Sequence, residues 1–439
     1  MMQERIKQAI GQISSLSQNK KIKVISHHDT DGVTSAAIFS RALQRANKPF
    51  SMQIVKSLDK EFIENLSKDD LVIFLDLASG SLDYLSKKSN QIIILDHHEI
   101  EQQIPENVLM INPLLEKEEV CSSAAICYLF AKQLSQNNKD LAVLAVTGMI
   151  GDMLEDNLTK MYNTIINDAD ITIKKGLLLY PATRPLDRAL EYSTSLYIPG
   201  VTGSFKGVND LLRDASISRG NNGYKSLAEL TNEEMSRLIT SVMLRRMGEN
   251  ETSRIIGNLY LAKFFNNVED IREISATINA CSRMGFPETA LGFCLGNKES
   301  KKEAERIYLS YKQNLAAALR YIEGTEKITG KNYTIINAQD KIKDTIIGTA
   351  ASIMSFSPLY PEGTIIIAMA YDEDKIKVSA RLAGRKGRNV REILARAVIP
   401  ISGEVGGHPN AAGALIAREK EAQFIEELVK QLNIEVVKI

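Results

Sequence analysis

This sequence has no excess of either charge. Its 54 lysine and arginine residues are balanced by 54 aspartate and glutamate residues, so the formal net charge is zero. The whole molecule therefore does not steer a polyanion toward itself by long-range electrostatics. If the substrate is a nucleic acid, its affinity must come from a local basic channel.

Long apolar runs are also missing, and so is tryptophan, although the latter does not decide function. No run approaches the ~20 residues of a membrane-spanning helix, and the start, MMQERIKQAI, is charged and unlike a signal peptide. The few cysteines lack metal-site spacing and predict free buried thiols in a reducing compartment: Cys121, Cys127, Cys281 and Cys294. We expect a cytoplasmic protein without a membrane segment.

Histidine is scarce, and its placement is informative. The chain has five histidines in 439 residues. Four form two adjacent pairs beside aspartates, and the fifth lies in a glycine-rich run: His27-His28, His97-His98 and His408. Because histidine binds metals and titrates near neutral pH, this clustering predicts functional use of all five residues.

Three apolar runs each end in a polar cluster. The run IKVIS (22–26) precedes HHDTDG, LVIFL (71–75) precedes Asp76, and QIIIL (91–95) precedes Asp96-His97-His98. Continuous β-branched runs are typical of strands covered on both faces, and helical patterns lie between them, which predicts a parallel α/β sheet. In such sheets, functional sites form outside the carboxyl ends of the strands.

A fourth cluster follows a predicted helix. The stretch LAVLAVTGMIGDMLED places Asp152 directly after Gly148-x-x-Gly151, and these small residues would let the helix approach a neighbour closely. Further along, residues 205–299 carry amphipathic helical patterns, one of which begins with a capping box of Thr231 and Glu234.

The C-terminal part predicts a second, smaller α/β domain. Its strands are YTIINA, GTIIIAMAYD and KIKVSARLA, followed by a helix near Val390–Ala397. One long helix connects it to the preceding residues. The predicted order is an N-terminal parallel-sheet domain, a helical insert, the connecting helix and the C-terminal domain: 1–204, 205–299, 300–325 and 326–439.

The polar clusters together predict a metal centre. Aspartates that converge raise one another's pKa, and divalent cations remove that conflict. Asp29 and Asp31 are two residues apart, so both reach one side of an extended turn. The predicted ligands suffice for two ions: Asp29, Asp31, Asp76, His97 and Asp152, with His27 as an additional candidate. Mixed imidazole and carboxylate ligands suit Mn²⁺, with Mg²⁺ or Zn²⁺ as alternatives.

Two such ions, about 3.5–4 Å apart, favour in-line displacement at a phosphate. In this hypothesis the catalytic residues are Asp29, Asp31, Asp76 and His98, and His98 hydrogen-bonds the scissile phosphate or protonates a leaving oxygen. Each piece alone has an ordinary structural explanation, since a strand-end aspartate often caps a helix. The occurrence of all the pieces in order favours the metal centre.

A second candidate site lies in the run GEVGGHPNAAG (403–413). Paired glycines before a helix, Gly406 and Gly407, let backbone N–H groups face an anion, and His408 adds a contact to phosphate or base. Upstream, Arg381 ends a strand and is placed to bind a phosphate in a bidentate manner. The following basic residues form either a solvated loop or the wall of a nucleic-acid channel: Arg385, Lys386 and Arg388.

These motifs resemble those of the DHH phosphoesterases. The four motifs of that family are matched in order by HHDTDG, the LDL around Asp76, DHH at 96–98 and GMIGD. Its DHHA1 accessory domain is matched by GEVGGHPNAAGA. The closest likeness is to RecJ-like nucleases of archaea. The resemblance implies single-strand-specific exonuclease activity dependent on Mn²⁺. It also implies the metal ligands named above, His98 on the substrate side, and nucleic-acid contacts from Arg381, Gly407 and His408.

One position departs from part of the family. In the pyrophosphatase and small-phosphodiesterase branches, a histidine ligand lies four residues before the first motif aspartate, and here that residue is Ile25. The difference favours the nuclease branch and makes His27 a candidate ligand. The insert, 205–299, resembles an archaeal-type insert that would bind a replication or repair partner, such as a GINS complex or a helicase.

Three functions are therefore in competition. The first is an exonuclease acting on single-stranded DNA or RNA in repair or replication. The second is a phosphodiesterase for short oligoribonucleotides or cyclic dinucleotides. The third is a non-catalytic scaffold of a replication complex, which the complete set of core metal ligands disfavours.

Overall fold

A computed structural model describes most of the chain, which divides into two compact units. The first unit contains residues 1–189, 218–236 and 257–308, and the second contains 190–217, 237–256 and 309–439. The described residues are 2–16, 21–100, 102–116, 118–156, 158–193, 196, 198–221, 223–246, 255–357, 359–384 and 386–434.

A five-stranded parallel sheet forms the centre of the first unit. Its strands are β1 (Ile22–His27), β2 (Phe50–Val55), β3 (Leu71–Leu75), β4 (Ile92–Leu95) and β5 (Val108–Ile111). Their order in the sheet is β2-β1-β3-β4-β5, and every neighbouring pair is parallel. The parallel α/β prediction is confirmed.

Helices cover both faces of this sheet, which explains the continuous apolar runs. They are α1 (Met2–Ser14), α2 (Thr30–Arg45), α3 (Lys60–Glu64), α4 (Leu82–Leu85), α5 (Ser123–Leu134), α6 (Ala142–Gly151) and α7 (Lys160–Asp168). The larger core contains α1, α2, α5 and α6, where the rings of Phe39 and Phe130 stack at 4.7 Å. The smaller core contains α3 and α4.

The middle of the chain is mixed rather than purely helical. It contains β6 (Thr172–Leu177), α8 (Leu186–Glu191), α9 (Phe205–Asp214), α10 (Asn232–Arg245), β7 (Ile256–Phe264), β8 (Asn267–Asp270), α11 (Ile271–Arg283) and α12 (Pro287–Cys294). The helices expected in 205–299 are present. However, β7 and β8 also lie there, because IGNLYLAKF pairs with β6 and β8 in a three-stranded sheet.

Two local expectations for this part of the chain are met. Thr231 and Glu234 form the capping box, with the Thr231 N–H 2.8 Å from Glu234 Oε2 and the Glu234 N–H 3.2 Å from Thr231 Oγ1. The predicted long helix is α13 (Lys298–Gly324), whose residues belong to both units.

The second unit is built on a six-stranded, mostly antiparallel sheet. Its strands are β9 (Ile328–Gly330), β10 (Tyr333–Asn337), β11 (Ile365–Asp372), β12 (Lys375–Leu382), β13 (Glu404–His408) and β14 (Ala411–Ala417). The order is β13-β14-β12-β11-β10-β9, with β10 and β11 parallel. Its helices are α14 (Asp344–Ser355), α15 (Val390–Val398) and α16 (Glu421–Asn433). The last two pack on one face of the sheet.

The glycine-rich run corrects one expectation. Residues 404–417 form a β-hairpin, β13–β14, and not a turn that opens a helix. The Pro409-Asn410 pair supplies the turn, and both glycines, Gly406 and Gly407, become strand residues opposite Gly413 and Ala412.

None of the helices in the described part of the chain combines the length and apolar character needed to cross a membrane. The four cysteines are buried and unpaired, as predicted.

Candidate metal centre

Strand order brings three of the polar clusters together. Ser26, Leu75 and Leu95 are in register on the adjacent strands β1, β3 and β4. The next residue on each strand, His27, Asp76 and Asp96, therefore lies at the same edge of the sheet. Asp76 has φ of +62°, a left-handed conformation that aspartate and asparagine adopt more readily than most residues.

The fourth cluster contains Asp152, which follows α6. It reaches this edge because α6 lies close to α2 and α5. Asp31, in the first turn of α2, accepts hydrogen bonds from the N–H groups of Ser123 (2.6 Å) and Ala124 (3.0 Å) at the start of α5. A Cβ at Gly148 of α6 would lie 2.5 Å from Asp31 Oδ1 and 2.6 Å from the Cβ of Ala124. A glycine is therefore required there, as the small-residue pattern before Asp152 suggested.

The ligand atoms form two groups that share Asp76. In the first group, His27 Nδ1 lies 3.1 Å from Asp29 Oδ2 and 3.4 Å from Asp76 Oδ2. In the second, His97 Nε2 lies 3.4 Å from Asp76 Oδ1, 3.5 Å from Asp152 Oδ2 and 4.0 Å from Asp31 Oδ2. The ligand atoms of His27, Asp29 and Asp76 lie within 4.8 Å of one another, and so do those of Asp31, His97 and Asp152. Asp76 presents one oxygen to each group, as a carboxylate that bridges two ions does.

Several of these atoms are buried and make no hydrogen bond of good geometry. His27 Nδ1, Asp76 Oδ2 and Asp152 Oδ2 approach other ligand atoms at 3.1–3.5 Å but form no well-aligned hydrogen bond among the described residues, although buried polar atoms in proteins are normally paired. Two divalent cations would supply the missing partners. The residues therefore fit a pair of ions: the first held by His27, Asp29 and Asp76, the second by Asp31, Asp76, His97 and Asp152.

The pKa values show the same crowding of charge. Burial and the neighbouring Asp76 raise the pKa of Asp31 to about 8, and burial and Asp31 raise that of Asp152 well above its ordinary value. Burial lowers the pKa of His27, but Asp29 and Asp76 outweigh it and raise that pKa to about 11. Without ions, the centre holds protons that metal binding must displace.

His98 and Asp96 form a separate pair beside the second group. Nδ1 of His98 lies 2.7 Å from the carboxylate oxygen Oδ1 of Asp96, so Nδ1 carries a proton and donates a hydrogen bond to this carboxylate. Asp96 is fully buried and also accepts from the Ser79 N–H (3.1 Å) and Ser79 Oγ (2.6 Å). Asp96 therefore orients His98, whose side chain is 46% exposed. This arrangement suits a histidine that faces a substrate.

The remaining motif histidine, His28, is outside these groups. Its ring packs edge-on against His27 at 4.9 Å. Burial, followed by the charge of His27, lowers its pKa to about 4. His28 therefore acts as a neutral neighbour that supports the His27 ring.

Sequence reasoning missed Ser123. Its Oγ donates to Asp76 Oδ1 (3.0 Å), and its N–H donates to Asp31, so it contacts residues of both ligand groups. Ser122 caps α5 through the Ala125 N–H. The Ser-Ser pair before an apolar helix could have predicted a helix N-terminus, but not that this N-terminus faces the acidic cluster.

In the second unit, the hairpin and β12 bring part of the second candidate site together. Arg381 and His408 both pair with Ala411, one from each side, so their side chains share a face of the sheet. Gly406 and Gly413 pair on that face, and His408 is exposed. Arg381 Nε donates to Ser352 Oγ of α14 (2.8 Å), which fixes the guanidinium beside this glycine-lined surface.

The basic loop behaves differently. Arg388 donates to the carbonyls of Leu432 (2.7 Å) and Gln431 (2.6 Å), so its guanidinium caps the end of α16. The Lys386 backbone N–H lies 3.3 Å from Glu362 Oε1. Arg385 lies outside the described residues, so its predicted role stays a prediction.

Three family models match this chain in order along the sequence. They are the DHH family N-terminal domain at residues 21–149, the DHH-CID domain at 179–259 and the DHHA1 domain at 330–434. The chain therefore carries the DHH and DHHA1 domains that its motifs predicted, and the candidate metal ligands lie in the first of these domains, except for Asp152 just beyond it.

The chain is also similar to two proteins of known sequence. An uncharacterized protein of Methanocaldococcus jannaschii is 29% identical over 426 residues, covering 93% of this chain and 92% of that protein. A Bacillus subtilis protein provisionally named as an SPbeta prophage-derived single-strand DNA-specific exonuclease is 28% identical over 199 residues. That match covers 42% of this chain and 33% of the Bacillus protein.

Solved structures show the fold. The exonuclease RecJ bound to manganese superposes with a TM-score of 0.60 at 18% identity, covering 99% of this chain and 95% of that one. CDC45 from Entamoeba histolytica superposes with a TM-score of 0.67 at 12% identity, covering 98% and 99%. The fold is thus RecJ-like.

Proposed function

We propose that this protein is a metal-dependent exonuclease that hydrolyses phosphodiester bonds of single-stranded DNA or RNA in repair or replication. The observation that carries the proposal is the pair of ligand groups that share Asp76, one carboxylate oxygen on each side. Mn²⁺ is the preferred ion for this mixed imidazole and carboxylate set, and Mg²⁺ is the alternative. Two such ions supply an activated water and stabilise the charge that develops on phosphate.

The residues of the chain have distinct tasks in this proposal. Asp29, Asp31 and Asp76 hold the centre, and the hydrogen bonds from Gly32, Ser123 and Ala124 orient their oxygens. His98 is held by Asp96 through Nδ1, which leaves Nε2 to contact the substrate phosphate or the leaving oxygen. In the second unit, Arg381, Gly406, Gly407 and His408 are proposed to bind the nucleotide chain.

Digestion of 5′-labelled and 3′-labelled DNA and RNA oligomers tests the proposal. We expect stepwise shortening in Mn²⁺, loss of activity in EDTA, and loss in Asp29→Asn and His97→Ala. Asparagine at position 29 keeps the cap on the Gly32 N–H (2.9 Å) while removing the negative charge. Equal digestion by wild type and both variants would reject the metal centre as the catalytic site.

Two alternatives have specific outcomes in the same assay. A length series in which only dinucleotides or cyclic dinucleotides are cleaved would favour the small-substrate phosphodiesterase. Binding of Mn²⁺ without cleavage of any substrate would favour the scaffold, whose support is the superposition on CDC45.

We further propose that the segment 205–299 binds a protein of replication or repair, such as a GINS complex or a helicase. Its support is the exposed apolar pair Met243 and Leu244 on α10, exposed by 52% and 61%. Loss of GINS binding in Met243→Asp/Leu244→Asp, with unchanged digestion of oligomers, is the expected result. Unchanged binding would remove this pair from the interface.

A further inference from the structure

Helix α11 contacts two of the four chain segments that carry the candidate metal ligands of the first unit. Thr30, which lies between Asp29 and Asp31, donates from Oγ1 to the Ser275 carbonyl of α11 (3.1 Å). Near the start of the same helix, Arg272 contacts Glu155, three residues after Asp152. One helix thus touches two of the chain segments that must converge for the centre to form, those of Asp29–Asp31 and of Asp152.

Arg272 is held rigidly. It is only 9% exposed, and its Nη1 donates to the Asn258 carbonyl of β7 (2.8 Å). Its guanidinium lies over the rings of Tyr260 (5.5 Å) and Tyr180 (6.0 Å). Hydrogen bonding and stacking on aromatic rings fix an arginine more firmly than charge pairing alone. Nη2 is therefore presented to Glu155 in a fixed position.

Glu155 depends on this arginine. Nη2 of Arg272 lies 3.3 Å from Glu155 Oε1, and Glu155 Oε2 is buried with no hydrogen-bond partner among the described residues. A buried carboxylate without a cation is strongly unfavourable. Arg272 therefore keeps the Glu155 side chain, and the backbone that carries it, in this place.

The turn between Asp152 and Glu155 needs such support. Met153 has φ of +58°, a left-handed conformation that costs free energy for a residue other than glycine. The Met153 N–H donates to the Ile150 carbonyl and the Leu154 N–H to the Met149 carbonyl, which ends α6 abruptly. Asp152 is the residue at that helix end. The position of Asp152 therefore depends on the strained turn that follows it, and Glu155 fixes the other end of that turn.

We propose that Arg272 is a positioning residue for the metal centre: through Glu155 it fixes the turn that places Asp152, and so sets the affinity of the second ion. The inference rests on the metal centre of the proposed function, and it adds a residue that belongs to none of the motifs. The first ion, held by His27, Asp29 and Asp76, should depend on it much less.

Mn²⁺ binding to the full chain, without nucleic acid, tests the proposal. Titration calorimetry and the electron paramagnetic resonance signal of free Mn²⁺ would give the number of ions and their affinities for wild type, Arg272→Gln and Glu155→Gln. We expect roughly 10- to 100-fold weaker binding of one ion, the range for residues that orient metal ligands, and little change in the other. Arg272→Lys keeps the charge but loses the planar fork, so its loss should be intermediate.

The matched control is Lys132→Gln. Lys132 pairs with Asp168, whose side chain is also largely buried, in the same unit but without a contact to any ligand given above. The Lys132→Gln variant should have a lower melting temperature than the wild type, while both Mn²⁺ affinities remain unchanged. This contrast separates positioning from a general loss of stability.

Each outcome has a clear meaning. Wild-type affinity for both ions in folded Glu155→Gln would overturn the proposal, even if Arg272→Gln failed to fold. Equal weakening in Lys132→Gln would also overturn it, because stability alone would then explain the effect. Absence of Mn²⁺ binding by the wild type would instead reject the metal centre itself.

Discussion

The two sheets of this protein use opposite means to make a surface for chemistry. In the first unit, parallel strands end together, and their last residues bring fixed carboxylates and imidazoles to one edge. In the second unit, neighbouring antiparallel strands place glycines, Arg381 and His408 on one face, where backbone groups and few side chains are available. Under the proposed function, the first sheet supplies the reactive groups and the second binds the chain of phosphates.

The largest effect should come from Asp76→Asn in the first unit. Asparagine tolerates the left-handed backbone at this position, so the variant should fold, but it removes the charge that both ligand groups share. We expect the single-turnover rate on a single-stranded oligomer to fall on the order of 1000-fold, because nucleophile and phosphate would both lose their metal contacts. Binding of the oligomer to the protein should persist.

Asp83→Asn is the control for that change, because Asp83 is an exposed acid on α4 of the same unit. It should digest the oligomer at the wild-type rate. A rate in Asp76→Asn within tenfold of this control would contradict the assignment of reactivity to the first sheet.

A second effect, limited to the first unit, is the pH dependence of metal binding. In the metal-free protein, burial and Asp76 raise the pKa of Asp31 to about 8, and Asp76 and Asp31 outweigh burial to raise that of His97 to about 9. Both groups are therefore protonated at pH 7 and must lose protons to bind an ion. Mn²⁺ affinity should rise between pH 6.5 and 8.5, by roughly tenfold per unit for each proton displaced.

Calorimetry in two buffers with different ionisation enthalpies would count the released protons. The control is the same titration with Asp76→Asn, which should show little heat of binding. Affinity that stays constant across this pH range would show that the ligands are already deprotonated.

A smaller effect should come from the second unit. His408→Ala removes an exposed imidazole from the glycine-lined face, and we expect about tenfold weaker binding of oligomers, as for the loss of a single good contact. The maximal rate and the Mn²⁺ affinity should remain. A fall in maximal rate with unchanged binding would reverse the roles given to the two sheets.

Arg388→Ala is the contrasting variant in the same unit. Because its guanidinium caps α16, we expect a loss of about 1–3 kcal/mol in the free energy of unfolding and no change in oligomer binding. Thermal unfolding and a binding titration on one sample would check both. Weakened oligomer binding without destabilisation would return Arg388 to the substrate surface, where its sequence placed it.

Much of the first unit could be predicted from the sequence, because strand-end clusters in a parallel sheet are local patterns with one geometric consequence. Asp29, Asp76 and His97 are examples. Ser123 and Arg272 could not be found that way. Their contacts, Ser123 to Asp31 and Arg272 to Glu155, span 92 and 117 residues, and nothing in their neighbourhood specifies the partner.

In the second unit the sequence was less decisive. A Gly-Gly pair is compatible with a helix start or with a hairpin, and only the pairing of β13 with β14 decides between them. Similarly, the sequence gives the charge of a loop arginine but does not specify which groups accept its hydrogen bonds. For Arg388 the acceptor is a backbone carbonyl of α16. In the middle segment, the strands β7 and β8 were missed because β7, with which β8 pairs, itself pairs with β6, which lies about 80 residues earlier in the chain.

The tight contact at Gly148 has a consequence for how related sequences are compared. Between α6 and Asp31 there is no room for even one methyl group. A descendant of this chain could therefore lose the proposed ion sites through a single Gly148→Ala change while every aspartate and histidine of the motifs remained. A survey that sorts working enzymes from inert relatives by ligands alone would count that protein as active, so the residue at position 148 should be considered together with them.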